Sequence, residues 1–370
     1  MRVGIVTPWF PTRVNANSGV FVLKDAQALA ESGVDIGVVH LVPPHEDDGT
    51  RRTTVEGIKT IRVPMSTSNP LDILRARLAL DPLMRRFDVI HTHAISGIEP
   101  FVFRRPKQFW VHTEHWSGLT NPETLPYSWQ KIRPLLLRML RLPDVALGEC
   151  EYLADHIREL RGDKPVEMIY CQVESPKKIA AKRAPDGEIR LVSTGGLVER
   201  KDPILAIEVL SELQKRGVNS SLTWLGTGPL LEEAQVLASE LGVKACFPGL
   251  VSGQGVQRAL ANADMFIGTT RGENFYIAAA EAIVNGRPLV VGSKGGQKEY
   301  IDQRIGRVIE ERDPAVWAEA VIQLFDDTIE WTAEEIAATV GDSFEPSTIA
   351  AQYIRLYERG LRKRKISCRE

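Results

Sequence analysis

A chain of 370 residues with 43% apolar side chains is longer than one core comfortably serves and reads as two domains. Its 46 Lys plus Arg nearly balance 48 Asp plus Glu, and the net charge of −2 leaves no whole-molecule field for nucleic acid, so any basic surface is local. The four cysteines, Cys150, Cys171, Cys246 and Cys368, share no C-x-x-C spacing, which argues against structural zinc or a disulfide framework and fits a cytoplasmic setting.

Residues 1–10 hold one basic residue and a short apolar run broken by Pro8, which reads as a first strand and not as a signal peptide. No window reaches the roughly 20 apolar residues of a spanning helix, so the chain is not expected to be integral to a membrane. Strand signals follow at 35–42, 60–63, 89–93, 108–113 and 145–148, with an amphipathic helix over 21–33 and a polar loop at 43–52. Largely apolar strands alternating with helices predict a parallel sheet covered on both faces. Between 173 and 189 the composition shifts to Pro, Lys, Ala, Asp and Gly, a linker, and then the pattern restarts. Strands are expected at 190–193, 221–225, 246–247, 265–268 and 289–292, and helices over 204–216 and 230–241. The expected fold is α/β: two facing Rossmann-like doubly wound domains, 1–175 and 187–342, with a deep cleft between them and a last helix, 346–364, packing back on the first. Such sheets bind ligands at their C-terminal strand edges, where helix N-termini favour phosphate.

The densest signal is the run 269–281, which follows a strand and opens a helix. Glu273 and Glu281 are eight positions apart, about 12 Å if both are helical, a span that suits two ends of one elongated polar ligand. Amide groups at Asn274, Phe275 and Tyr276 would then face a phosphate. The blander reading makes Glu273 a first-turn acid and Glu281 a surface acid. Against it, Ala280, Ala282, Ile283 and Val284 surround Glu281 with apolar neighbours, where an unpaired carboxylate is costly.

With this glutamate pair the sequence resembles the retaining GT-B glycosyltransferases of family 4 (glycosyl transferases group 1), across nearly its whole length. Leu225-Gly-Thr-Gly-Pro229, Phe247-Pro-Gly-Leu-Val251, Ala263-Asp264 and Lys294-Gly-Gly-Gln-Lys-Glu299 agree with that family's segments in order and spacing. The resemblance implies a nucleotide-diphosphate sugar as donor, UDP- or GDP-linked, with Glu281 on the donor ribose, Glu273 at the donor sugar, and Gly226 and Val251 in turns lining the donor. It also implies retention of anomeric configuration and no cofactor.

The Gly-rich turn 193–202 follows a strand, and its Arg200 and Lys201 are suited to the charge on a departing diphosphate, doing the work of a metal. In similar enzymes an arginine stands where this chain has Gly196, so Arg200 or Arg271 is the candidate second cation. In the first domain Gly19 either lets backbone approach a ligand or belongs to a plain βα turn with Ser18 as N-cap. His91 and His93 share one face of a strand end, and His112, Glu114 and His115 cluster at the next. His-x-His can bind metal, yet no carboxylate cluster accompanies it, so no metal site is expected. By the resemblance His115 contacts the transferred sugar; His93 and Glu114 are weaker candidates for acceptor or sugar contacts.

Two basic stretches, 75–86 and 131–141, are read either as helices packing leucines inward or as helices lying on an anionic membrane. The partners expected are a nucleotide sugar, a carbohydrate, lipid-linked or small-molecule acceptor, and peripheral contact with the inner face of the cell membrane. The enzyme expected is a hexosyltransferase serving glycan, glycolipid or glycosylated-metabolite synthesis. Its competitors are a GT-B-type nucleotide-sugar epimerase and a non-catalytic sugar-nucleotide-binding protein.

Overall fold

The computed structural model describes residues 1–124 and 127–367; Cys368 lies outside them. The chain divides into two compact units, unit 1 comprising Met1–Gln172 with Ser343–Glu370 and unit 2 comprising Val173–Asp342.

Unit 1 is built on an eight-stranded sheet, with strands β1 (Arg2–Thr7), β2 (Asp35–Val42), β3 (Arg52–Val55), β4 (Ile58–Pro64), β5 (Val89–His93), β6 (Phe109–Thr113), β7 (Val145–Gly148) and β8 (Val166–Met168) in the order β3-β4-β2-β1-β5-β6-β7-β8. All neighbours are parallel except β3 and β4. β3 occupies the end of what reads as a polar loop. Its hairpin turns at Glu56-Gly57, both at positive φ (43° and 87°), the geometry of a tight two-residue turn. β1, β5, β6 and β7 are buried on both faces, β5 and β6 with histidines and threonines among their apolar residues. The helix Pro346–Ser367 closes the core: Ile349, Ala350, Tyr353, Leu356 and Tyr357 are buried with the Val20–Glu31 helix and β1.

Unit 2 carries a six-stranded, wholly parallel sheet: β9 (Ile189–Thr194), β10 (Ser220–Leu225), β11 (Lys244–Gly249), β12 (Met265–Gly268), β13 (Leu289–Gly292) and β14 (Gly306–Ile309), ordered β11-β10-β9-β12-β13-β14. The order reverses beside β9, so loops after β9 and β12 diverge and leave room for a ligand. The helices Pro203–Lys215 and Pro314–Asp327 bury Leu205, Leu210, Trp317 and Val321 against the sheet. Residues 173–187, linker-like in composition, belong to this unit: Arg287, fully buried, donates from Nη2 to the Ala180 carbonyl at 2.9 Å.

Candidate donor site and histidine cluster

In unit 2, charge and tight backbone meet at the C-terminal sheet edge. After β9 the chain turns through Gly195 (φ 134°), and after β10 through Gly226 (φ 151°). A Cβ at Gly226 would lie 2.0 Å from the Gly195 carbonyl oxygen, so only glycine lets these loops cross. Gly196 needs no such freedom, since a Cβ there meets ordinary contacts at 3.6 Å.

The turn after Gly196 delivers Arg200 and Lys201, and Asp202 caps the Pro203–Lys215 helix by accepting from the Leu205 amide at 3.3 Å. Lys201 Nζ lies 2.6 Å from Glu273 Oε1, and Arg200 lies 2.5 Å from the same oxygen. The Thr270 hydroxyl is 3.0 Å from it as well. Arg200 also donates to the Gly272 carbonyl at 2.9 Å, while its own carbonyl accepts from the Arg271 amide at 2.7 Å. Two loops from different strands are thus locked around one carboxylate. The Lys201 ammonium stands 4.2 Å from the centre of the Tyr276 ring, a favourable cation–π contact.

Burial pushes the Glu273 carboxyl up, but Lys201 and Arg200 outweigh it and hold it below the usual carboxylate range. Burial lowers Lys201, and Arg200 adds to this against the pull of Glu273 and, less strongly, of Glu281. Two cations on one anion leave an excess positive charge in a nearly dry pocket, a setting that an anionic ligand would relieve.

The helix after β12 starts later than its sequence suggests. It runs Ile277–Val284, with Tyr276 as N-cap in the left-handed region (φ 67°). Glu273 is therefore not helical, and the expected 12 Å spacing along one helix does not apply. The first-turn amides are those of Ile277 and Ala278, not of residues 274–276. The 273–276 loop is strapped instead to the Gly-Gly segment: the Glu273 amide donates to Lys294 O at 3.0 Å and the Gly296 amide to Asn274 O at 2.7 Å. The Tyr300 hydroxyl reaches the Phe275 and Tyr276 carbonyls at 3.0 and 2.9 Å. The Phe275 and Tyr276 side chains are buried. Ile277, Ala278 and Glu281 form the one open stripe of a helix otherwise buried, so Glu281 is half-buried and faces outward from that start. Val251 is exposed in the loop after β11. Of the two candidate second cations, Arg200 joins Lys201. Arg271 is turned away, 3.1 Å from Asp202 and 2.9 Å from Glu199, and Arg312 shares Asp202 with it.

In unit 1, His93 at the end of β5, His115 two residues after β6 and Glu149 directly after β7 form a chain. His93 Nδ1 lies 3.0 Å from His115 Nε2, and His115 Nδ1 lies 2.5 Å from Glu149. Burial opposes charge on His115, but Glu149, Glu114 and Asp25 outweigh it and raise its pKa. Burial and the neighbouring histidines press His91 and His93 well below the usual range, so within the cluster a proton is favoured on His115. His91 is engaged by the hydroxyls of Tyr357 and Thr113, each at 2.7 Å.

Glu114 is fully buried and accepts from the His115 and Trp116 amides at 2.8 Å each, with His112 at 3.3 Å. It therefore positions the His115 backbone. His93, equally buried, bears on a ligand only through His115. Gly19, not Ser18, is the N-cap of the Val20–Glu31 helix, left-handed at φ 61°, and its missing Cβ would sit 2.1 Å from the Trp9 carbonyl. That packing places the Trp9 and Phe21 rings beside His115, with centroids 6.2 and 4.6 Å away.

Sequence reasoning missed Glu149, Asp202 and Thr270. Each directly follows a parallel strand or opens a helix, a position that marks it once the strands are known. Among the described residues, no group of three or more His, Cys, Asp or Glu is placed to hold a metal ion.

Both units resemble known proteins. Residues 18–175 match the family model described as Glycosyltransferase Family 4, and residues 174–338 match the one described as Glycosyl transferases group 1. An uncharacterized glycosyltransferase of Methanocaldococcus jannaschii is 26% identical over 97% of this chain and 98% of its own. A GDP-mannose-dependent alpha-(1-6)-phosphatidylinositol monomannoside mannosyltransferase of Mycolicibacterium smegmatis is 33% identical over 37% of this chain and 38% of its own. Among solved structures, sucrose-phosphate synthase from Thermosynechococcus elongatus superposes with a TM-score of 0.77 at 18% identity, covering 97% of this chain and 98% of the other. Anabaena HepE in complex with UDP and glucose gives 0.75 at 15% identity, covering 97% and 100%. With consecutive stretches of the chain matching glycosyltransferase family models and both units carrying the doubly wound sheets of that fold, the protein is a glycosyltransferase of the GT-B type, family 4.

Proposed function

We propose that the chain moves a hexose from a nucleotide-diphosphate donor, held by unit 2, to an acceptor hydroxyl held by unit 1, with retention of configuration. The observation that carries this reading is the convergence of Lys201 and Arg200 on Glu273 beside the open start of the Ile277–Val284 helix. The donor diphosphate takes the excess positive charge, helped by the Ile277 and Ala278 amides. As the sugar–phosphate bond breaks, the same cations meet the charge developing on the leaving diphosphate. Glu281, on the open stripe of that helix, accepts from the ribose hydroxyls; Glu273, held ionised by its two cations, faces the donor sugar. His115, oriented by Glu149, contacts the transferred sugar. Retention and deprotonation of the acceptor by the donor phosphate follow from family resemblance. A UDP- or GDP-sugar suits the site: the mannosyltransferase relative is named for GDP-mannose, and the HepE complex contains UDP.

Peripheral attachment to the anionic inner face of the cell membrane belongs to the same reading. No helix among the described residues is long and apolar enough to cross a membrane. On the Pro70–Met84 helix, however, Leu71, Leu74 and Leu78 point outward while Arg77 is buried. On the Tyr127–Arg138 helix, Tyr127, Trp129, Ile132 and Leu135 are exposed beside Lys131 and Arg138, and Leu137 is its one buried side chain. Apolar stripes flanked by basic residues suit an anionic interface.

The test is a thermal-shift panel of UDP, GDP and their hexose conjugates, followed by NMR of the product formed from the best donor. A stabilising nucleotide sugar and an unchanged anomeric configuration are expected. Inversion in the product overturns the mechanism, and full activity of Glu273→Ala and Lys201→Ala overturns the site.

A further inference from the structure

Beside the histidine chain, unit 1 holds a cavity of about 270 Å³, which shares Trp129 with the exposed stripe of the Tyr127–Arg138 helix. Its walls include Trp9, Trp116 and Trp129, with Trp116 and Trp129 edge-to-face at 6.4 Å. Two carboxylates, Glu46 and Glu99, line it as well, each with a buried Oε2 that has no hydrogen-bond partner. Glu46 is only 7% exposed, and its other oxygen accepts from Asn15 at 2.7 Å, which fixes the unpartnered one in place. Ala94, also lining the cavity, adopts φ 58° and ψ 151°, a region essentially reserved for glycine. Strain of this kind survives where the surroundings over-determine it, most often at a ligand site.

Resting on the reading that unit 1 takes the acceptor, we propose that this cavity binds an uncharged sugar ring of the acceptor, stacked on tryptophan with its hydroxyls on Glu46 and Glu99. Indole faces cover the apolar C–H surface of a pyranose, and a carboxyl group serves a hydroxyl as acceptor or donor. Burial raises the Glu99 carboxyl to about 8, so near neutrality it offers an O–H. The titratable side chains sharing the cavity with it are Glu46 and His45. The volume, near the lower end of ligand pockets at about 300 Å³, fits a single ring. A phosphate on that ring would meet the two acidic side chains, and neither Lys nor Arg lines the cavity.

Tryptophan fluorescence of the full chain, titrated with methyl glucoside, methyl mannoside and their 6-phosphates, tests the proposal. Saturable quenching by at least one neutral glycoside and none by its phosphate is expected, with Glu46→Ala and Trp129→Ala each weakening binding about tenfold. Wild-type binding should weaken as pH rises through about 8, whereas Glu99→Gln, which keeps an N–H donor, should bind equally across that range. The dodecyl glycoside in micelles separates the two sources of such a ring: a glycolipid headgroup gains affinity over the methyl glycoside, a soluble carbohydrate does not. Equal binding of the phosphates, no quenching by either neutral glycoside, or unchanged affinity in both Glu46→Ala and Trp129→Ala overturns the proposal. The nucleotide thermal shift reports on unit 2 alone, so failure of the donor reading and failure of this one are told apart.

Discussion

Each unit ends its parallel sheet on a buried glutamate, and the two are held in opposite ways. Glu114 of unit 1 is satisfied by two backbone amides and a histidine, all from its own neighbourhood. Glu273 of unit 2 is held by two cations that reach it from the loop after a different strand. The first arrangement is complete without a ligand and acts as architecture. The second sets two cations against one carboxylate, the arrangement on which the proposed anion site rests.

The comparison breaks most visibly at Glu273. Replacing it with alanine leaves Lys201 and Arg200 facing each other with little solvent, a loss of about 3–5 kcal/mol by analogy with broken buried pairs. Because a bound diphosphate would substitute for the missing carboxylate, the stabilisation conferred by UDP or GDP should be larger in Glu273→Ala than in the wild type. Transfer itself should fall about a hundred- to a thousandfold in Lys201→Ala, since a charge-stabilising donor is lost. Chemical denaturation with and without nucleotide, together with steady-state rates, checks both outcomes.

Acid should separate the units next. All seven histidines, His40, His45, His91, His93, His112, His115 and His156, lie in unit 1. Four of them, His40 at about 4 and His91, His93 and His112, are lowered in the folded state chiefly by burial, so the unfolded chain takes up protons below about 6.5 that the folded one refuses. Asp25, raised to about 7, and Glu99, raised to about 8, work the other way, since the folded chain keeps protons there that the unfolded one releases. Four groups against two make unit 1 lose stability as pH falls from about 6.5 towards 4.5, by roughly 2 kcal/mol per pH unit. Above 6.5 the sign reverses, because Asp25, Glu99 and the raised His115 lose their folded-state protons. Hydrogen exchange read separately over the two units should show unit 1 weakening in acid first.

Glu114→Gln sharpens the contrast from the architectural side. The amide keeps one acceptor for the His115 and Trp116 amides but loses the charge, a cost of about 1 kcal/mol. Its nucleotide-induced thermal shift should match the wild type, since nothing in unit 2 is touched.

Much of this arrangement was legible in the sequence, for physical reasons. Apolar strands between helices announced two doubly wound sheets, and Glu273, Glu281 and Lys201 stood where strand ends and helix starts concentrate charge. β3, β8 and β14 escaped because the first is a polar edge strand and the other two have only three and four residues, so none shows a period. The late start of the helix at Ile277 escaped for another reason. Tyr276 is held left-handed by contacts with Tyr300 and the 294–296 segment, about twenty residues away, at a cost of roughly 1–2 kcal/mol that local pattern does not reveal. The His93–His115–Glu149 chain likewise depends on which strands are neighbours, and only β5-β6-β7 adjacency brings them together.

The smallest effect, and the most discriminating, concerns Gly196. Similar enzymes carry an arginine there, and in this chain Arg200 is the cation that joins Lys201. A side chain at 196 meets only ordinary contacts, so Gly196→Arg should fold normally. If Arg200 already supplies the second charge, the added arginine tightens nucleotide binding little, by about twofold or less at a half-exposed position. In the Arg200→Ala background the same substitution should recover most of the lost affinity, because one guanidinium then replaces another on the same diphosphate. Calorimetric titration of the four proteins completes the cycle. Equal gains in both backgrounds would mean that the two positions act independently and that Arg200 serves Glu273 alone.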